Sequence, residues 1–220
     1  GFGRDWRVRA SVGEGFKAPT LYQLLSFYGN TALEPEESTS YDLGIEKGQR
    51  GAGLHLALTG FRRDSDNLIG FGFTADRPFG VYLNTARARA QGIEAEAGFD
   101  LARGLRIAGI YSYVDAEDRS SGLELARRPD HFGTIYADWH SAFGLGLGAD
   151  LRIVGPSWDN GANTNRLDGY ELLDLRASFG IGDNLELFGR VENVFDTDYQ
   201  TVAGYGTAGR SVFGGIRAKM

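Results

Sequence analysis

The chain has 220 residues, with 33 Gly, 14 Phe, 10 Tyr, 3 His, no Cys and a formal net charge of −6; its pI is near 5.1 and its mean hydropathy −0.28. Without cysteine there is no disulfide framework, thiolate metal site or catalytic thiol, and the acidic balance lacks the basic face that nucleic acid requires as a partner. No apolar run approaches the roughly 18 residues of a membrane-spanning helix. Glycine, at roughly twice its usual share, is scattered among aromatics rather than gathered in tracts, which predicts strands and turns rather than disorder.

In chain order, alternation predicts ten strands, at about 2–13, 37–48, 52–63, 79–99, 103–117, 130–141, 145–156, 169–180, 184–193 and 208–219. In the first, Trp6, Val8, Ala10 and Val12 share one parity and Asp5, Arg7, Arg9 and Ser11 the other. Leu145, Leu147, Ala149, Leu151 and Ile153 repeat the pattern, as do Leu173, Leu175, Ala177 and Phe179. Period two places one apolar and one polar face on each strand. The one helix-like stretch is APTLYQLLSF (18–27), with Pro19 suited to a first turn. The chain opens inside a strand-like pattern without an initiator Met, which predicts a piece of something longer.

The connections alternate in length. Those at 14–36, 64–78, 118–129, 157–168 and 194–207 read as long polar loops, whereas KGQRG (47–51), DLARG (100–104), SAFG (141–144) and IGDN (181–184) are tight and Gly-rich. Short turns at one end and long loops at the other are the asymmetry of an outer-membrane barrel. The polar parity carries Arg7, Arg9, Asp42, Glu46, Glu94, Glu96, Arg106, Asp138, Asp150, Arg152, Asp174, Arg176, Glu186, Arg190, Glu192, Arg217 and Lys219. So many charges cannot line a dry core but suit a wet lumen. Opposite signs on neighbouring strands, such as Arg7 and Arg9 beside Asp42 and Glu46, predict cross-strand pairing. Tyr111, Tyr113, Tyr136, Trp139 and Trp158 fall toward strand ends, as an interfacial girdle would. The fold expected is therefore all-β: an antiparallel up-and-down transmembrane β-barrel segment of about ten strands.

Three stretches carry a family resemblance. FKAPTLYQLLSFYGNTALEPEESTSYDLGIE (16–46), YLNTARARAQGIEAEAGFDL (82–101) and LELFGRVENVFDTDYQTVAGYGTAGRSVFGGIRAKM (185–220) resemble successive motifs of TonB-dependent outer-membrane receptors. FKAP followed by FYGN, the LARRP stretch (125–129) and DTDYQTVAGYGTAGR (196–210) are most similar to the cobalamin receptors of the BtuB type; siderophore receptors share the more general motifs. The resemblance implies a barrel of about 22 strands plugged by an N-terminal domain behind a TonB box. This chain, residues 1–220, would be the C-terminal part of that barrel without plug or box. It further implies ligand capture by loops and plug, import of cobalamin or a ferric chelate driven by the TonB complex, contact with outer-membrane lipid and a periplasmic C-terminus. Such receptors end in an aromatic, from which Met220 departs.

Candidate site residues follow from the same resemblance. Arg127 matches an Arg that contacts the vitamin in cobalamin receptors, and its fork of donors suits amide and phosphate groups; pairing with Glu124 or Asp130 is the structural alternative. Trp158 lies near a contact position usually filled by Tyr. The family's calcium ligands belong to earlier loops. The acidic groups Glu34/Glu36/Glu37, Asp115/Glu117/Asp118 and Asp196/Asp198 lack the spacing of a dedicated cation loop, so no metal or cofactor is expected. GTAGRS (206–211) sits at a strand start, not between strand and helix, and is no phosphate loop. Among His55, His131 and His140, the pair Asp130–His131 with Asp115 and Glu117 offers one competing reading, a closed ten-stranded barrel acting as a protease or, without that chemistry, as a passive pore. The favoured reading is binding, not catalysis.

Overall fold

A computed structural model describes residues 5–182 and 184–218; the expectations on residues 2–4, Asp183, Lys219 and Met220 lie outside that range. Ten long strands form one antiparallel sheet in strict chain order: β1 (Trp6–Lys17), β2 (Glu36–Gln49), β3 (Ala52–Thr74), β4 (Arg77–Ala102), β5 (Leu105–Asp118), β6 (His131–His140), β7 (Leu145–Val154), β8 (Tyr170–Ile181), β9 (Leu185–Glu192) and β10 (Ser211–Ala218). Each strand pairs with its chain neighbour, the up-and-down order that short connections favour. Among the described residues β1 pairs only with β2 and β10 only with β9, so the sheet is open. That corrects the alternative of a closed ten-stranded protease or pore: the strands that would have to meet do not.

Register carries the two faces across the whole sheet. Val8 stands opposite Ile45, Ile45 opposite Leu58, and Leu58 opposite Ala95. Ala95 then faces Tyr111, and the same row parity continues through Ile135, Leu151 and Leu173. Buried positions fall on the opposite parity, among them His55, Ala88, Ala108, Ser112, Ala116 and Leu172. Crowding belongs to the inner side of a curved sheet, so the charged parity is concave and the apolar parity convex. The convex residues Leu43, Leu58, Ile93 and Ile135 are all exposed, as a lipid-facing surface must be.

On the concave face the charges pair across strands. Arg7 meets Glu46 at 2.9 Å and Arg106 meets Asp100 at 2.8 Å, while Arg176 reaches both Asp138 and Asp150. Arg9 instead donates to Thr59 at 3.3 Å, and Asp42 accepts from Ser11 at 3.0 Å. The expected pairing holds for Glu46 but not for Asp42.

Three expectations need correction. Residues 64–78, read as a loop, extend β3 and β4 into a hairpin that turns only after Thr74. Register shifts after Ser65 and Leu68 break the alternation there, which is why periodicity missed it. Tyr136 shares the parity of Asp138 and so belongs to the concave face, not to the girdle of Tyr111, Tyr113 and Trp139. Trp158 lies in no barrel strand; Ser157–Trp158 pairs with Arg166–Leu167 as a separate small hairpin in a loop.

Candidate ligand-binding rim

The tight turns all lie at one end, and left-handed glycines close them. Gly48, at φ +74°, and Gly104, at φ +76°, are the tightest: a Cβ would stand 2.0 Å from the Leu54 carbonyl oxygen in the first and 2.1 Å from the His140 carbonyl oxygen in the second. The opposite end is built from long loops, and these carry the residues singled out for ligand contact.

Asparagines and aspartates organise this rim by side-chain bonds to distant backbone. Asn84 accepts from the Glu34 N–H at 2.8 Å and donates to the carbonyls of Glu34 (3.0 Å) and Asn67 (2.6 Å). Asn30 donates to the Tyr82 carbonyl at 3.1 Å. These bonds lay the 28–36 segment along the β3–β4 hairpin, behind the short helix α1 (Leu21–Leu25), whose start is closed by a reciprocal Thr20–Gln23 capping box. At the other side of the rim Asn193, buried and at φ +50°, accepts from the Thr197 N–H and donates to its carbonyl. Its own N–H donates to Asp174 at 2.8 Å. The Tyr199 ring then rests on Tyr170, with centroids 4.4 Å apart. The Asn-x-x-Asp-x-x-Tyr spacing of 193–199 is thus a folding device that turns the chain off β9.

Between these two regions, loops 119–130, 155–169 and 193–210 meet. The Arg127 N–H donates to the Trp158 carbonyl at 2.6 Å, so the two predicted site residues are in contact through backbone. Arg127 sits at φ +58°, a left-handed conformation unusual for a side chain of its size. Its Nε donates to Asp159 Oδ1 at 2.9 Å, and the same oxygen accepts from the Ala203 N–H at 3.2 Å. Neither Glu124 nor Asp130 is its partner. Asp159 was not singled out in the sequence, yet one carboxylate ties three loops together. The Ala203 N–H first and then the Arg127 guanidinium hold its carboxyl below the usual carboxylate range. Asn163 pairs with both backbone groups of Glu124, at 2.9 and 3.0 Å, and Arg166 lies over the Trp158 ring at 5.9 Å.

A cleft of about 130 Å³ opens here, lined by Arg127, Pro129, Ser157, Asp168, Tyr170 and Gln200 among others. The residues of the catalytic alternative lie elsewhere. His131 bonds the Tyr111 hydroxyl at 2.7 Å and leans on Tyr113, and Asp115 accepts from Gln91 at 3.1 Å. His131, Asp115 and Glu117 share the convex parity, so they cannot form a site in the lumen. The acidic groups are likewise engaged: Glu36 with Lys17, Asp118 with the turn amide of Ser120, and Asp196 with Arg210.

Comparison with known proteins agrees with this architecture. Residues 2–194 match the model of the TonB-dependent receptor-like β-barrel. The vitamin B12 transporter BtuB of Photobacterium profundum is 35% identical over 217 residues, covering 95% of this chain and 34% of that protein. The ferric enterobactin receptor PfeA of Pseudomonas aeruginosa superimposes with a TM-score of 0.82 at 22% identity, over 99% of this chain and 38% of that one. The copper transporter OprC does so at 0.81 and 17% identity, over 98% and 37%. The chain thus spans about a third of the length of these relatives. With an in-order antiparallel sheet, an apolar convex face, a charged concave face and a matching family model, the chain belongs to the TonB-dependent receptors, outer-membrane β-barrels of Gram-negative bacteria.

Proposed function

We propose that this chain is the C-terminal wall and rim of a receptor that binds cobalamin and imports it with energy delivered by the TonB complex. The observation that carries the reading is the 35% identity to a vitamin B12 transporter, sustained over 95% of the chain. Arg127 fits the role: it is exposed at the loop end, and its bond to Asp159 is made through Nε, which leaves the terminal nitrogens available to a ligand. Trp158, held beside it, contributes a flat edge to the same rim. A cleft of about 130 Å³ accepts an amide or phosphate arm but not a whole corrinoid, so the ligand lies across the rim with only part of it inserted.

In this reading the loops face the exterior, the tight turns and the C-terminus face the periplasm, and the convex face contacts lipid. A plug domain of the kind the resemblance implies completes the ligand site and couples it to TonB; nucleic acid has no part. A ferric chelate is the second reading, supported by the fold likeness to a ferric enterobactin receptor. Equilibrium binding of cyanocobalamin and of ferric catecholates to the full-length receptor separates the two. Cobalamin binding, weakened about tenfold by Arg127→Ala and partly restored by Arg127→Lys, is the expected result. Tight binding of a ferric chelate with none of cobalamin sinks the cobalamin assignment.

A further inference from the structure

The convex face changes character abruptly near the loop end. Gly60, Ile93 and Tyr113 form the last row of the apolar band on β3, β4 and β5. Two residues further along, at the same parity, the row is Arg62, Gln91 and Asp115; the next is Asp64, Arg89 and Glu117. Two residues of a strand tilted by about 45° rise roughly 5 Å along the membrane normal. These rows therefore stand about 5 and 10 Å above the hydrocarbon edge, within and just beyond the headgroup layer.

Three guanidiniums converge on one carboxylate at the outer edge of that layer. Arg62 Nε lies 2.8 Å and Arg89 Nε 2.7 Å from Asp64, and Arg119 Nη1 lies 3.8 Å from it. Arg119 also stands 3.8 Å from Glu117, and its N–H donates to the Arg87 carbonyl at 2.6 Å, which brings a fourth arginine alongside. Asp115 is bonded to Gln91. The side chains of Arg62 and Arg119 remain 46% and 40% exposed, so much of each fork is open to another anion. Counting Arg87, four arginines stand against Asp64, Glu117 and Asp115, an excess of one positive charge. Asp64 occupies part of the forks of Arg62 and Arg89; Tyr111 and Tyr113 border the patch on the side of the apolar band, and Tyr41 stands directly opposite Arg62.

We propose that this patch binds the phosphate of lipid headgroups in the leaflet at the loop end, with Arg62, Arg89 and Arg119 as its donors and Asp64 as the carboxylate that competes with the phosphate for them. Guanidinium forks match phosphate oxygens in pairs, and the patch lies where such groups reside. The assignment is independent of the ligand taken by the rim.

The test uses the full-length receptor in detergent, titrated with short-chain phosphatidic acid and, separately, with the matching diacylglycerol and inorganic phosphate, bound species being counted by native mass spectrometry. The expected result is preference for phosphatidic acid over diacylglycerol. That preference falls about tenfold or more in the triple variant R62Q/R89Q/R119Q, since each guanidinium near an anionic surface is worth roughly fivefold. Asp64→Asn, which frees the guanidiniums, raises it. Equal binding by wild type and triple variant overturns the proposal. So does weakened lipid binding in a folded Asp64→Asn receptor, or inorganic phosphate that binds as tightly as the lipid. Heat-modifiable migration on gels checks that the barrel is intact, and where the triple variant fails that check, Asp64→Asn decides.

Discussion

The two ends of the sheet solve the same problem, reversing a strand, by different chemistry. At the turn end the solution is local: a glycine at positive φ, as at Gly51, Gly104 and Gly144, closes each hairpin within a few residues. At the loop end the chain turns by borrowing partners from far away. Asn84 bonds to Glu34 across 50 residues, and Asp159 to Arg127 across 32 and to Ala203 across 44. A backbone strain that only glycine tolerates needs no neighbour, whereas a loop long enough to hold a ligand must find its order in side-chain bonds to other loops.

Substitutions at each end put that contrast at risk. Gly104→Ala meets both a left-handed φ and a backbone oxygen that cannot step aside, so we expect a loss of about 3 kcal/mol, read from denaturant unfolding of the full-length receptor. A stability near wild type would mean that the turn is set by its neighbours after all. Asn193→Ala removes two side-chain bonds from a buried site and is expected to destabilise by about 2 kcal/mol, with protease sensitivity appearing first in 194–207. Uniform sensitivity along the chain would make the effect global rather than a property of that loop. Asn84→Ala, with its three bonds mostly at the exposed rim, is expected to lose about 1 kcal/mol and to release the 28–36 segment to hydrogen exchange.

The smallest effect expected is a pH dependence of the rim. The Asp159 carboxyl is held low, so its tether is complete above the ordinary carboxylate pKa of about 3.9. The tether is lost as pH falls through the lower folded-state value. A spin label at Gly161→Cys, an open position in the same loop, should become more mobile only in that acid window. Asp159→Asn should mobilise it at every pH; a pH response that survives in Asp159→Asn would assign the switch to another group.

What could be read from residues alone follows the same divide. Nearly every strand was legible because period two is a local property, and the parity of Leu56, Leu58 and Ile93 against Glu46, Glu94 and Glu96 already separated lipid from lumen. The β3–β4 extension was not, since beyond the membrane neither face has to be apolar and the bulges after Ser65 and Leu68 erase the alternation. Tyr136 was misplaced because closeness to a strand end says nothing about parity. Arg127 and Trp158 were found through resemblance. Asp159, which joins them to a third loop, has no local mark beyond an acidic residue in an Asn-rich stretch.

Composition, period and turn chemistry by themselves determined the fold class, the order of strands and which face is apolar, because side chains alternate along a strand whatever lies beside it. Only the tertiary structure decided that β1 and β10 do not pair among the described residues, that Asp159 joins three loops, and that three arginines gather on Asp64. Each of these depends on register between strands or on contacts between loops, which the residues on one strand do not encode.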